Sequence, residues 1–162
     1  MMYLAFYGNR YGGLLNKAIR WWTSPLPYKL NGKWRDTFSH VEIVFSDGMM
    51  FSASQYENKV RFKNHSFTGK AWGRHPLDIS VEDELKIRNS CIIRAERGEE
   101  YDYFGVAGFV LSAIPEDKDK SFCSEVCTAE LQEYVTELKD LVPHKTSPNG
   151  MAIALKFGVF NV

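Results

Sequence analysis

The segment that most narrows the folds open to this chain is 38–54, which reads FSHVEIVF, then SDG, then MMFSAS. In the first part Phe38, His40, Glu42 and Val44 fall on one face and Val41, Ile43 and Phe45 on the other. That is the period-two alternation of a strand, whose successive side chains point to opposite faces. Ser46-Asp47-Gly48 is a turn, and the run after it is strand-like again. An antiparallel hairpin is therefore expected, with an antiparallel sheet around it.

The flanking sequence fills in an α+β domain. MYLAFYG reads as a buried strand ending at Gly8. GGLLNKAIRWWTS places Leu14, Leu15, Ala18, Ile19 and Trp22 at helical spacing and is closed by Ser24-Pro25. PLPYKLNGKWRD reads as a loop with a turn at Asn31-Gly32, and KVRFKN as a third strand. A further strand is expected around Cys91 to Ile93, or a short helix before it. A helix is expected over 101–114, a charged loop over 115–120, and a second long helix from about Phe122 to about Leu141. PHKTSPNGMAIAL supplies a turn and a short element, and KFGVFNV a last strand. No repeat, low-complexity tract or linker divides the chain, so residues 1–162 are expected to form a single domain.

Composition removes some function classes. Apolar residues make up 44% of the 162, enough for a core, and the formal net charge is zero. Zero charge argues against nucleic acid as a main partner, although 59–75 (KVRFKNHSFTGKAWGRH) is a local basic candidate. The cysteines are Cys91, Cys123 and Cys127. So low and odd a count, with no apolar leader in the first eleven residues, points to free thiols in a reducing, cytoplasmic setting. The longest apolar run, FGVAGFVLSAI, is too short to span a bilayer, so no stable membrane insertion is expected.

The chemistry-bearing residues are few. Cys123 sits where a polar loop gives way to a helix-forming run, behind Ser121 as a candidate cap. Helix N-termini favour thiolate, since backbone N–H groups and the dipole's positive end converge there. A cysteine nucleophile needs a base. Of the four histidines, His65 and His75 lie among Lys, Arg, Gly and Pro, and His144 follows a proline. Only His40 lies in a strongly patterned strand, which would hold its imidazole in one orientation. The plainer alternative is that Cys123, beside Val126, Cys127 and Leu131, is core and His40 is structural. A metal site on Cys123 and Cys127 lacks a C-x-x-C pair or zinc-like spacing, so neither metal nor cofactor is expected.

Several motifs in order carry a resemblance. These are His40-Val41-Glu42-Ile43-Val44 running into Ser46-Asp47-Gly48, RGEEYDYFG at 97–105, Cys123-Ser124-Glu125-Val126, and Ser147-Pro148. Together they resemble the circularly permuted NlpC-type, papain-like cysteine hydrolases of the YiiX/YebB-like branch, similar in layout to the lecithin:retinol acyltransferase group. The resemblance implies a bacterial or phage source. The resemblance covers about residues 36–150. It implies a papain-like α+β fold in which a small antiparallel sheet presents a histidine to a cysteine at a helix N-terminus. It further implies Cys123 as nucleophile, His40 as base and later acid, and an oxyanion site made by the Cys123 N–H with the Tyr101 hydroxyl.

A third polar residue on the next strand orients the histidine in that family, and counting through the hairpin puts Ser52 there. Ser54 or Glu42 could substitute. The implied activity is a thiol-dependent hydrolase (a cysteine peptidase or amidase) cleaving a peptide, isopeptide or peptidoglycan amide through an acyl-enzyme. The alternatives are an acyltransferase or esterase acting on lipid acyl groups, or a non-catalytic binding module on the same fold. Trp21, Trp22, Tyr28 and Trp34 could line an apolar groove or simply divide between core and surface.

Overall fold

The computed structural model describes residues 1–8, 12–64, 67, 71–103, 105 and 120–158. Its frame is a seven-stranded sheet in the order β5-β1-β2-β3-β4-β6-β7. The strands are β1 (Tyr3–Tyr7), β2 (His40–Val44), β3 (Met49–Ser54), β4 (Lys59–Asn64), β5 (Trp72–Pro76), β6 (Glu100–Tyr101) and β7 (Lys120–Ser121). All neighbours are antiparallel except β6 and β7. The helices among the described residues are α1 (Leu14–Thr23), α2 (Leu26–Leu30), α3 (Val81–Glu96), α4 (Cys123–Leu131) and α5 (Pro148–Ala154). The chain is α+β.

The β2–β3 hairpin forms at the expected turn. Gly48 takes φ +86°, Gly48 N–H donates to Phe45 O at 3.0 Å, and the Asp47 carboxylate accepts from Met49 N–H. Only a residue without Cβ adopts that φ cheaply. Alternation then sorts the strands. Leu4, Phe6, Val41, Ile43, Phe51, Ala53 and Val60 face the main core, which α3, α4 and α5 close with Ile87, Cys91, Val126, Leu131 and Met151. The other face carries a smaller cluster of Ala5, Val44 and Met50 under Phe67 and Trp72.

Several expectations are corrected. Cys91 to Ile93 is not a strand but part of the sixteen-residue α3, capped by Ser80, whose Oγ accepts from Asp83 N–H. Three acidic residues in its first turn favour helix there. The helix opening at Cys123 stops at Leu131 rather than running to Leu141, and Thr136–Leu138 forms a separate 3-10 turn. The loop after Pro25 contains α2 and a 3-10 turn at Lys33–Asp36. Of the helix expected over 101–114, Tyr103 and Gly105 are helical and Tyr101 lies instead in β6, while 104 and 106–114 fall outside the described residues. The last strand lies outside them beyond Gly158, and Lys156 before it takes φ +50°, which ends α5 rather than extending a strand.

The largest difference concerns α1. Leu14, Leu15, Ala18, Trp21 and Trp22 point to solvent, while Asn16, Ile19 and Arg20 are buried. The helix is held by polar contacts. Thr23 Oγ1 donates to Ile19 O and accepts from Asn149 Nδ2 at 2.7 Å, and Gln55 Nε2 reaches Asn16 Oδ1 at 3.4 Å.

Candidate active site

His40 is the first residue of β2, and β1–β2 pairing sets it opposite Tyr7, itself opposite Trp72 on β5. The three rings form a row, with Tyr7 and Trp72 5.0 Å apart and the Trp72 ring edge-on to His40 at 6.0 Å. Strand entry is fixed two residues earlier, where Phe38 N–H donates to Asn149 Oδ1 at 2.8 Å. Ser147, of the Ser-Pro pair, caps α5 through Gly150 N–H at 3.0 Å, and so places Asn149.

Cys123 reaches the same place from the other side. The parallel β6–β7 pair sets Tyr101 beside Ser121, and Cys123 then occupies the first position of α4. The N-cap is Phe122, not Ser121: Phe122 O accepts from Val126 N–H at 3.1 Å, and Glu125 Oε2 accepts from Phe122 N–H at 3.3 Å. The Ser121 hydroxyl instead donates to Glu99 Oε2 and accepts from Arg94. One turn on, Cys127 packs onto β2 and β3, its sulfur 3.7 Å from Val41 O.

The Cys123 sulfur acts on the His40 imidazole by charge and by hydrogen bonding, both of which raise the ring's pKa. His40 Nε2 donates to Glu42 Oε1 at 2.9 Å. That oxygen also accepts from Arg61 Nη2 at 2.5 Å, and Arg61 Nε lies 3.2 Å from Glu57 Oε1. Glu57 in turn pairs with Lys63. A line of alternating charge thus runs from the imidazole through Glu42, Arg61 and Glu57 to Lys63. It also pairs two of the five Lys and Arg side chains of 59–75, Arg61 and Lys63.

Burial alone would push His40 down, but the charge of Cys123, its hydrogen bond and Glu42 outweigh this and raise it to about 9. Burial would likewise raise Glu42, yet its bonds to His40 and Arg61 hold it down at about 2. The result favours an imidazolium beside the carboxylate and the sulfur. The other two thiols are driven far up, first by desolvation, despite Arg94 near Cys91 and Ser52 near Cys127. Tyr101 is buried beside Cys123, and desolvation followed by the sulfur's charge keeps its hydroxyl protonated.

Ser52 is not at the imidazole. Its hydroxyl is buried and donates to Val41 O at 2.8 Å. The cause is register. The β2–β3 ladder pairs Val44 with Met50 and Ile43 with Phe51, and continued on that count it sets Glu42, not His40, opposite Ser52. Ser54 would be the residue across from His40, and it lines a cavity of about 190 Å³ beside the ring. Asn16, Glu42, Gln55, Arg61, Tyr7 and Trp72 also line that cavity.

Among the described residues no group of three His, Cys, Asp or Glu side chains gathers as a metal site. No described helix is long and apolar enough to cross a membrane. Sequence reasoning missed Arg61, Asn149 and the cavity residues Asn16, Gln55 and Trp72. Arg61 had a signal: a carboxylate inside an apolar strand needs a countercharge, and Arg61 sits between Val60 and Phe62 on β4, the next strand but one. Comparison of the chain with protein-family models, with curated proteins and with solved structures gave no match.

Proposed function

We propose that the chain is a thiol-dependent hydrolase acting on an amide or ester carbonyl, built on a papain-like layout similar to the permuted NlpC-type hydrolases. The observation that carries this is the line Cys123–His40–Glu42, with the sulfur at the first position of α4. In the reaction the Cys123 sulfur attacks the carbonyl carbon. The Cys123 N–H and the Tyr101 hydroxyl stabilise the oxyanion. His40 gives its proton to the departing amine or alcohol, leaving an acyl-thioester. Water then attacks, His40 takes its proton, and the acid leaves with the thiol restored. Glu42 keeps the imidazole turned toward the sulfur and stabilises its charge.

Peptide, isopeptide or peptidoglycan amides are the first substrate class. Lipid acyl groups are the second, supported by the outward Leu and Trp side chains of α1, whose inward Asn16 lines the cavity beside His40. The test is brief exposure to iodoacetamide at neutral pH with mass-spectrometric mapping, followed by hydrolysis assays on peptide, peptidoglycan and acyl-ester panels. Cys123 should label well ahead of Cys91 and Cys127, and Cys123→Ala should remove all turnover. Equal labelling of the three thiols with no hydrolysis would return the chain to a binding module.

A further inference from the structure

The outward face of α1 is largely apolar, while Asn16 and Arg20 turn inward beside Ile19, close to the reverse of a helix packed on a core. At 100° per residue Leu14, Leu15, Ala18, Trp21 and Trp22 share an arc of about 120°. Leu14 is 86% exposed, Trp21 42% and Trp22 37%. Leu26 and Leu30 of α2 add 66% and 77%. Isolated exposed leucines are ordinary, but one continuous face of leucine and tryptophan is not.

The segment that carries the patch is predominantly basic. Residues 12–37 carry Lys17, Arg20, Lys29, Lys33 and Arg35 against Asp36 alone, in a chain whose total is zero. Arg20 is buried, Lys29 is half-buried, and Lys17, Lys33 and Arg35 are exposed. Lys29 Nζ lies 4.9 Å from the Trp21 ring centroid and 5.5 Å from that of Trp22, which joins α1 to α2. Arg35 lies 5.7 Å from Trp34, and Lys33 5.9 Å from Tyr28.

We propose that α1 and α2 form a docking face for an anionic lipid surface. Leucine and tryptophan enter the boundary between headgroups and acyl chains, and Lys17, Lys29, Lys33 and Arg35 meet lipid phosphates. Trp rings suit this depth because they are apolar with one N–H donor. A protein groove would cover the leucines equally well, but the basic character of the segment matches an anionic headgroup layer. The face lies flat and crosses nothing. Docking does not depend on the thiol chemistry proposed above; where both operate, it brings lipid-borne carbonyls to the cavity that Asn16 shares with His40.

The experiment is co-flotation of the full chain, with tryptophan emission, on phosphatidylcholine–phosphatidylglycerol vesicles and on phosphatidylcholine vesicles alone. Binding with a blue shift is expected on the anionic vesicles, about tenfold or more weaker on the neutral ones. The double variant Leu14→Ser/Leu30→Ser, at positions too exposed to matter for folding, should lose about tenfold or more. Lys33→Glu/Arg35→Glu should lose binding to anionic vesicles selectively. Circular dichroism checks that each protein is folded. A folded wild type that ignores both vesicles overturns the proposal, as does binding that neither double variant weakens. Self-association in ultracentrifugation, abolished by Leu14→Ser/Leu30→Ser and without vesicle binding, would assign the face to a second copy instead.

Discussion

Glu42 Oε1 stands 2.9 Å from His40 Nε2, although the two residues are only two apart on the same strand. Side chains at that spacing share a face but stand some way apart, and ordinarily do not bond. Here His40 is the strand's first residue and its ring can lean along the strand, while Arg61 holds the Glu42 carboxylate from the next strand but one.

Glu42→Gln keeps the shape and removes the charge. With the Glu42 charge gone, the His40 titration should move down from about 9, read by NMR of the ring protons. Turnover should fall by about tenfold to a hundredfold as the imidazolium loses its countercharge. An unmoved titration would show that Glu42 does not act through the ring.

Ser52→Ala should leave turnover within about twofold, because its hydroxyl serves Val41 O and not the imidazole. Unfolding in urea should show a loss of about 1 kcal/mol for one buried hydrogen bond. A tenfold drop in turnover would contradict this assignment.

Arg61→Ala strands a buried carboxylate and should destabilise the fold by roughly 3–5 kcal/mol. Arg61→Met together with Glu42→Leu removes both charges and should recover most of that loss in denaturant melts, while turnover stays low. If the double variant is no more stable than the single one, the pair is not what Arg61 contributes.

The pH dependence of stability has two limbs. His40 rises from 6.5 to about 9 on folding, so its contribution is full below 6.5 and lost as pH climbs through about 9. Glu42 falls from 4.5 to about 2, so its contribution is full above 4.5 and lost as pH drops through about 2. Both operate together between 4.5 and 6.5. Thermal melts of wild type should therefore decline above neutral pH more steeply than those of His40→Gln. Parallel curves would refute the His40 limb.

The hairpin was legible because alternation and a Ser-Asp-Gly turn are local signals, and Cys123 at a helix start was legible from the change in composition before it. Register was not. One shared count along β2 and β3 decides whether Ser52 or Ser54 faces His40, and no single residue announces it. The orientation of α1 was misleading for a different reason. Periodicity reports that Leu14, Ala18 and Trp22 lie together but not which way they look. The polar anchors that turn the helix over include Asn149, more than a hundred residues away.

That anchor has a consequence for how the site comes into being. Phe38 N–H and Asn149 Oδ1 are separated by 111 positions along the chain. A ribosome makes the strand of His40 early and the thiol of Cys123 much later, and the clamp on β2 comes after both. Pairings so distant in sequence form late and slowly. A nascent or truncated chain lacking Asn149 therefore lacks the clamp at Phe38 that fixes the entry to the strand of His40.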